Sequence, residues 1–219
     1  MVIRPGGEYG GRPLHFIWLL DCSGSMKVDN KIQTLNYAIR EAVPAMRDEA
    51  AKNPEARVIV RAIKFSNGAQ WHIATETPLN EFRWTDLQAE GETDMGKAFS
   101  LLAEELRAFP TVGRYLPPVL VLITDGEPTD DWRGPLQQLL ATPWAQHAVR
   151  IAIAVGSEAK LEPLERFINN PERRPVRADD PDSLVRQIKW ASTTVSDTTQ
   201  GKPPTPPPAA QAGGSGSVF

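Results

Sequence analysis

Nearly continuous apolar runs recur along the chain and end at polar or glycine positions. Runs of this length, with branched and aromatic residues, are typical of strands buried on both faces of a sheet. The three longest are LHFIWLLD at 14–21, PPVLVLITDG at 117–126 and VRIAIAVG at 149–156. Three further segments predict strands, namely RVIVRAIKFS at 57–66, AQWHIA at 69–74 and, as a short edge strand, PVRA at 175–178. An NG pair joins the first two of these and is a hairpin signal.

Between these runs, apolar residues recur at helical spacing. The pattern predicts helices over 31–52, 94–108, 132–141, 159–169 and 182–195. Pro44 is expected to kink the first helix, or to mark an irregularity in it, because proline removes a backbone donor. Residues 75–93 show no clear period and predict a loop. Strands that alternate with helices predict a doubly wound α/β fold, in which a mostly parallel sheet has helices on both faces and 69–74 as an antiparallel edge strand.

Composition divides the chain into three parts. Residues 1–13 hold four glycines and two prolines and predict an arm outside the fold. Residues 14–196 contain the alternating pattern and predict one domain. Residues 197–219 are rich in proline, glycine and serine, cannot bury a core, and predict a flexible tail or a linker to another domain.

Charge and cysteine content exclude several classes of protein. The chain has 219 residues and a net charge of −3, which does not favour binding to nucleic acid or to an anionic membrane. Cys22 is the one cysteine, so neither an intrachain disulfide nor a cysteine-built zinc site can form. A bilayer span needs about 20 apolar residues, and the longest run is shorter. With no secretory signal pattern, a cytoplasmic protein is expected.

Three polar clusters follow predicted strands or precede a predicted helix. Asp21, Ser23 and Ser25 follow the first strand, Thr93 precedes the helix at 94–108, and Asp125 ends the 117–126 strand. In a parallel sheet, ligands gather beyond the carboxyl ends of the strands. All five side chains offer hard oxygen donors, which suit Mg²⁺, with Mn²⁺ or Ca²⁺ as alternatives, and disfavour zinc or copper.

The spacing of the first cluster favours convergence on one ion. Alternate positions in an extended turn can point Asp21, Ser23 and Ser25 the same way, and Gly24 lets the backbone bend closely. Only Asp21 and Asp125 bring negative charge. The ion would therefore remain electrophilic and could accept an anionic oxygen from a partner.

Other interpretations of these residues remain open. Taken alone, the Asp-x-Ser-x-Ser triplet is better interpreted as an ordinary polar turn. An EF-hand loop fits poorly because Met26 and Ile32 occupy its glycine and acid positions. A phosphate-binding loop and a serine nucleophile elbow are not found. The rival function is a metal-dependent hydrolase, such as a phosphatase, and a third possibility is a degenerate site that binds without metal.

Together, the five residues resemble the metal-ion-dependent adhesion site (MIDAS) of von Willebrand factor type A (VWA) domains. That family has Asp-x-Ser-x-Ser, then a threonine in a later loop, then an aspartate ending another strand. The matching residues occur here in the same order and are Asp21, Ser23, Ser25, Thr93 and Asp125. The resemblance covers about residues 14–196. It implies a Rossmann-like VWA fold and a non-enzymatic module whose partner protein supplies a carboxylate to the metal.

A rim around this site is predicted to contact the partner. Its residues are Gly24, Met26, Glu92, Asp94, Gly126, Glu127 and Trp132. Glu92 departs from the glycine common before the family's threonine and adds negative charge. Trp132 could instead belong to the core. Glu127, together with Asp130 and Asp131, could equally serve as acids at the start of the following helix.

Two longer segments point to a branch of the family. RPLHFIWLLDCSGSM and LITDGEPTDDW resemble the bacterial TerY-like branch, which is associated with tellurium-resistance and stress gene clusters. The resemblance implies binding within an assembly that could include a kinase and a phosphatase. It also implies that the last helix, 182–195, can shift when ligand binds.

Overall fold

The structure is a computed structural model that describes residues 11–53, 56–110, 115–199 and 206–207. Six strands of the described chain form one sheet. They are β1 (Arg12–Asp21), β2 (Ala56–Ser66), β3 (Gly68–Pro78), β4 (Val119–Thr124), β5 (Val149–Val155) and β6 (Val176–Ala178). Their order in the sheet is β3-β2-β1-β4-β5-β6. Only β2 and β3 pair antiparallel, which confirms a mostly parallel sheet with one antiparallel edge strand.

Helices connect the strands and cover both faces of the sheet. They are α1 (Lys31–Ala51), α2 (Met95–Ala108), α3 (Arg133–Leu140), α4 (Pro143–His147), α5 (Leu161–Ile168) and α6 (Pro181–Thr199). A 3₁₀ segment, Gly24–Asn30, lies between β1 and α1. None of the helices within the described residues is long and apolar enough to cross a bilayer.

Strand β1 divides the core into two halves because its side chains alternate between the faces of the sheet. Phe16 and Trp18 pack in the half that includes α1 and α6. Ile17 and Leu19 pack in the half that includes α2, α3 and α5. Burying an aliphatic or aromatic side chain of this size contributes about 1.5–3 kcal/mol. The central strands are therefore held from both sides, and their carboxyl ends are rigid supports for a site.

Element boundaries differ from the predictions at both ends of the domain. Strand β1 begins at Arg12, two residues before the predicted domain start. Helix α6 continues to Thr199, past the predicted domain end. The predicted arm up to residue 10, and the tail beyond Thr199 apart from Pro206 and Pro207, lie outside the described residues.

Three local features concern Pro44, the end of β3 and a helix that was not predicted. Helix α1 is continuous across Pro44, which is exposed, so water can satisfy the carbonyl of Arg40 that loses its donor. Strand β3 extends to Pro78 because β2 continues to pair with it past a register shift. Helix α4 was not predicted, since a single turn is too short to show a period; the Thr142 side chain caps it.

Candidate metal site

The candidate site lies where the neighbouring strands β1 and β4 end. They pair in parallel up to Leu20 and Ile123, so Asp21 and Asp125 emerge at the same edge of the sheet. The hydroxyl of Ser25 donates to Asp125 Oδ1 at 2.7 Å, across 100 positions of sequence. This contact joins the first and third polar clusters of the sequence.

The loop after β1, which carries Ser23 and Ser25, folds tightly around this edge. The backbone N–H of Ser23 donates to Asp21 Oδ1 at 2.8 Å, and the hydroxyls of Ser23 and Ser25 lie 2.9 Å apart. The N–H of Gly24 donates to the carbonyl of Gly91 at 2.9 Å. A Cβ at Gly24 would lie only 3.3 Å from that carbonyl oxygen, which explains why glycine suits the position.

Thr93 completes the cluster from the loop before α2. Its N–H donates to the Thr129 hydroxyl at 3.0 Å, and its carbonyl accepts from the N–H of Thr129 at 3.1 Å. A Cβ added to Gly126 would lie 3.6 Å from Thr93 Oγ1 and 3.7 Å from Ser25 Oγ, so both hydroxyls border the same glycine. All five predicted ligands therefore converge at one edge of the sheet.

Asp21 is a buried carboxylate without a cation in direct contact among the described residues. Its exposed fraction is 0%, and it accepts hydrogen bonds from the Thr124 hydroxyl and the Ser23 N–H. Burial raises the pKa of Asp21 to about 6 despite those bonds, and the charge of Asp125 adds to the rise. A cation beside Asp21 would favour its charged form, which fits a metal site.

Asp125 already has a cation beside it. Lys31 Nζ donates to Asp125 Oδ2 at 2.8 Å, while the Asp125 side chain is fully buried and that of Lys31 is 21% exposed. Sequence reasoning missed Lys31. The available signal was a cation at the first position of α1, where the helix dipole disfavours positive charge.

The donor chemistry fits a hard divalent cation. Two carboxylates and three hydroxyls contribute oxygen only, which suits Mg²⁺, Mn²⁺ or Ca²⁺. No group of three or more His, Cys, Asp or Glu residues that could hold a metal occurs within the described ranges. Among the described residues, the metal-site candidate is the Asp-Ser-Thr cluster, because its five side chains converge and offer oxygen only.

The predicted rim is partly wrong. Met26 is 0% exposed and Trp132 is 5% exposed; both pack in the core and cannot contact a partner. Met26 lies in the 3₁₀ segment and packs in the core half that includes α1 and α6. The Trp132 ring packs in the core half that includes α2 and α3, and Arg133 Cζ lies 4.6 Å from the centroid of that ring. Glu92 and Glu127 are exposed, as a rim requires.

The remaining rim residues lie at the site but differ in availability. Gly24 and Gly126 are half-buried beside the ligand hydroxyls. The Asp94 carboxylate accepts from the Gly68 N–H at 2.7 Å and from Lys97 Nζ at 2.6 Å, and these contacts lower its pKa. Whether these residues contact a partner stays a prediction.

The two other acids after Asp125 serve helix starts. Asp130 accepts from the N–H groups of Gly96 at 2.9 Å and Lys97 at 3.0 Å, which caps α2 rather than the following helix. Asp131 Oδ1 accepts from the N–H of Arg133 at 3.2 Å, at the start of α3. Asp131 therefore agrees with the interpretation as an acid at the start of the following helix. Asp130 instead ties the Asp125 loop to the helix that follows Thr93.

Sequence reasoning also missed the residues that position the ligands. Thr124 holds Asp21, Thr129 holds Thr93, and Asn36 holds the loop that leads to Thr93. Asn36 left a signal, because it is a polar residue at a core-facing position of α1 between Ile32 and Ile39. The two threonines left none, since a threonine at a strand end or in a turn is common.

Comparison with known proteins agrees with this geometry. The sequence profile of the von Willebrand factor type A domain matches residues 16–190. No curated protein matches the chain. A von Willebrand factor type A protein from Catenulispora acidiphila is 16% identical with a TM-score of 0.64, over 85% of this chain and 43% of that one. The ArnB paralog VWA2 from Sulfolobus acidocaldarius is 18% identical with a TM-score of 0.60, over 82% and 45%.

A third similar structure carries a metal. Proximal thread matrix protein 1 from the mussel byssus, described with a zinc-occupied MIDAS motif, is 16% identical with a TM-score of 0.59, over 86% of this chain and 46% of that one. The chain spans less than half the length of each of these three proteins, and at such identities the likeness concerns the fold. The profile match itself runs from β1 into α6 and includes all five predicted ligands, so the chain belongs to the von Willebrand factor type A domain family.

Proposed function

We propose that this chain is a divalent-metal-dependent protein-binding module that uses a MIDAS-type site. The observation that carries the proposal is the hydrogen bond from Ser25 to Asp125 Oδ1, which joins two distant loops at 2.7 Å. It places two hydroxyls and a buried carboxylate around one position, with Asp21 and Thr93 at the same edge.

The five residues contribute two kinds of oxygen ligand to the ion. Asp21 and Asp125 supply the charge, and Ser23, Ser25 and Thr93 supply neutral oxygens. By family resemblance, the serines touch the metal directly and the aspartates often act through water. A divalent ion brings the charge that stabilises the ionised form of Asp21, and it offers a further position to an outside oxygen. A carboxylate from a partner protein is the ligand of matching charge.

A non-enzymatic role is favoured over hydrolysis by the environments of two histidines and the cysteine, residue types that often act in catalysis. His15 packs against Phe109 with ring centroids 4.3 Å apart, and His72 packs against Trp84 at 5.1 Å. Burial raises the pKa of the Cys22 thiol to about 12, so it stays protonated at neutral pH. Metal-assisted hydrolysis also needs a positioned base or nucleophile, and these groups do not supply one at the site.

Mg²⁺ is the proposed physiological ion, because oxygen ligands with only two carboxylates suit a cation that keeps its own waters. Mn²⁺ and Ca²⁺ are the alternatives. The zinc in the mussel protein's MIDAS motif makes Zn²⁺ a necessary member of any binding series.

The cellular setting is proposed from the sequence resemblance of two segments, 12–26 and 122–132, to the TerY-like branch. On that basis the protein is bacterial and cytoplasmic, and acts in a tellurium-resistance or stress system. Its partner, which supplies the carboxylate, belongs to an assembly with a kinase and a phosphatase. No nucleic-acid role is proposed, since the net charge of −3 does not favour one.

Calorimetry with Mg²⁺, Mn²⁺, Ca²⁺ and Zn²⁺ tests the metal site. Asp21→Ala and Ser23→Ala should each abolish binding of Mg²⁺ because each removes a ligand, while thermal melting shows that the fold persists. Asp86→Ala is the matched control, since Asp86 is an exposed carboxylate paired with Arg40 away from the site. Unchanged affinity in both ligand variants would refute the assignment.

Partner capture and phosphate-ester turnover separate binding from catalysis. The wild type should retain a partner from a host lysate in Mg²⁺ and release it with chelator, whereas Asp125→Ala should retain none in either condition. Turnover of a generic phosphate ester that requires Mg²⁺ and disappears in Asp125→Ala would instead support the hydrolase.

A further inference from the structure

The two carboxylate oxygens of Asp125 have different partners. Oδ1 accepts from the Ser25 hydroxyl at 2.7 Å, on the side of the proposed ligands. Oδ2 accepts from Lys31 Nζ at 2.8 Å. The ammonium group and the serine hydroxyl therefore bind different oxygens of one buried carboxylate, and Lys31 does not need to leave for an ion to bind beside Ser25.

Lys31 is held in this position by the chain around it. It is the first residue of α1, and the two residues before it, Asp29 and Asn30, have left-handed φ angles of 53° and 55°. Asp and Asn adopt such angles more readily than other non-glycine residues, so this pair forms a sharp turn directly before Lys31. A Cβ added to Gly156 would lie 3.5 Å from Lys31 Cε, so the lysine stem packs beside the turn after β5.

Occupation of Oδ2 restricts how Asp125 can bind a metal. Ca²⁺ takes six to eight oxygen ligands and often binds both oxygens of a carboxylate, whereas Mg²⁺ takes near-octahedral geometry with one-oxygen contacts. Each oxygen of Asp125 accepts one hydrogen bond, but the donor at Oδ2 is a positively charged ammonium, which repels a cation, whereas the donor at Oδ1 is a neutral hydroxyl. An ion is therefore favoured at Oδ1 and disfavoured at Oδ2. The contact therefore disfavours the two-oxygen binding that Ca²⁺ uses.

The same contact changes the charge of the site. Asp21 and Asp125 bring two negative charges, and Lys31 balances one of them. An ion in the site then retains more of its positive charge for a further anionic ligand. Lower charge also weakens metal binding in general, since fewer negative charges attract the ion.

We propose that Lys31 is a specificity-determining residue of the metal site: by holding Asp125 Oδ2, it leaves Asp125 to face the ion through Oδ1 alone, directly or through a water, and so selects Mg²⁺ over Ca²⁺. This inference rests on the proposed metal-binding function. It assigns to Lys31 both the choice of ion and the positive charge that remains for a partner's carboxylate.

Mg²⁺ and Ca²⁺ dissociation constants of the full chain, measured by calorimetry, test the proposal. In Lys31→Met, the affinity for Ca²⁺ should rise at least tenfold and the affinity for Mg²⁺ by a smaller factor, so that the preference for Mg²⁺ falls at least threefold. Lys31→Arg, which keeps the charge and the donor, should keep the preference of the wild type. The matched control is Lys27→Met, because Lys27 is an exposed cation of the same loop; its constants should stay within twofold.

The outcomes distinguish the inference from the function on which it rests. If the wild type binds Mg²⁺ and Lys31→Met keeps the wild-type preference, the role of Lys31 is refuted and the metal site stands. If the wild type binds neither ion, the metal site is refuted and the role of Lys31 falls with it. If Lys31→Met fails to fold, Lys31→Gln provides a second neutral variant, with the same fall in preference expected and an unchanged preference contradicting the proposal.

Discussion

At the scale of single residues, each proposed ligand depends on a neighbour that is not itself a ligand. Thr124 is fully buried, donates to Asp21 Oδ2, and accepts from the N–H of Gly126 at 3.2 Å. It thereby orients one acid and links it to the loop of the other, Asp125. Replacing a residue that orients a metal ligand in this way typically lowers metal affinity by about 10- to 100-fold.

Thr124→Val should weaken Mg²⁺ binding by about 10- to 100-fold, because valine keeps the shape and removes the hydroxyl that orients Asp21. Calorimetry measures the change. Thr75→Val is the control, since Thr75 is exposed on β3. An affinity within twofold of the wild type would contradict the orienting role.

At the scale of elements, α1 holds the loop that ends at Thr93. Asn36 Nδ2 donates to the Leu87 carbonyl at 2.9 Å, and Asn36 Oδ1 accepts from the Leu87 N–H at 2.8 Å and from Trp84 Nε1 at 3.0 Å. Arg47 donates to two further loop carbonyls, those of Leu79 and Phe82. The irregular segment is therefore fixed by side chains of a helix rather than by a ladder of its own.

Asn36→Ala should lower the free energy of unfolding by about 2–3 kcal/mol, because it leaves buried donors and acceptors of the loop without partners. Urea denaturation followed by circular dichroism measures this. Gln33→Ala, at an exposed position of the same helix, should change stability by less than about 0.5 kcal/mol. Equal effects of the two substitutions would show that the loop does not depend on Asn36.

Strand β1 carries a buried titratable group on the face of α2. Desolvation lowers the pKa of His15 below its usual 6.5; Glu76 and Glu105 oppose the shift, and Arg61 and Arg57 add to it. The unfolded chain then binds more protons than the folded chain near and below pH 6.5, so His15 lowers stability as the pH falls through that window. The raised pKa of Asp21 acts with the opposite sign.

His15→Gln should therefore lose less stability than the wild type between pH 7 and pH 5. The comparison of the two proteins cancels the contribution of Asp21, which both retain. Urea denaturation at a series of pH values measures the difference. Parallel stability profiles would show that His15 does not titrate differently on unfolding.

At the scale of the whole molecule, a bound ion should stabilise the fold because its ligands come from three separate segments. Binding to the folded state alone contributes about 2.7 kcal/mol at a metal concentration 100 times the dissociation constant. For a domain of this size, that corresponds to a rise in Tm of about 5–10 °C. Differential scanning calorimetry with Mg²⁺ and with chelator measures it, and Asp21→Ala should show no rise. An equal rise in that variant would place the ion elsewhere.

Much of the architecture could be predicted because it follows from local pattern. Apolar runs such as 14–21 and 117–126 are typical of strands buried on two faces, and their alternation with helical periods favours a parallel sheet. The predicted elements were wrong or incomplete where the local sequence signal is weak. Strand β3 continues to Pro78 only because β2 pairs with it, and α4 is too short to show a period.

The candidate ligands were likewise accessible from sequence, for a geometric reason. Parallel strands end at one edge, so polar residues that follow them gather there. That β1 and β4 are neighbours was decided by the strand order of the sheet. The burial of individual side chains near the site could not be predicted in the same way. Met26 and Trp132 follow ligand positions in sequence, yet both are core residues, because the surface against which a side chain packs depends on elements far along the chain.

The sequence by itself determined the fold class and placed Asp21 and Asp125 at the carboxyl edge of the sheet, since periodicity and strand polarity are properties of the local chain. Only the tertiary structure decided that Lys31 occupies one oxygen of Asp125 and that Asn36 fixes the loop before Thr93. Those contacts join residues 94 and 51 positions apart. No local pattern encodes them, because they arise from the packing of α1 against the edge of the sheet.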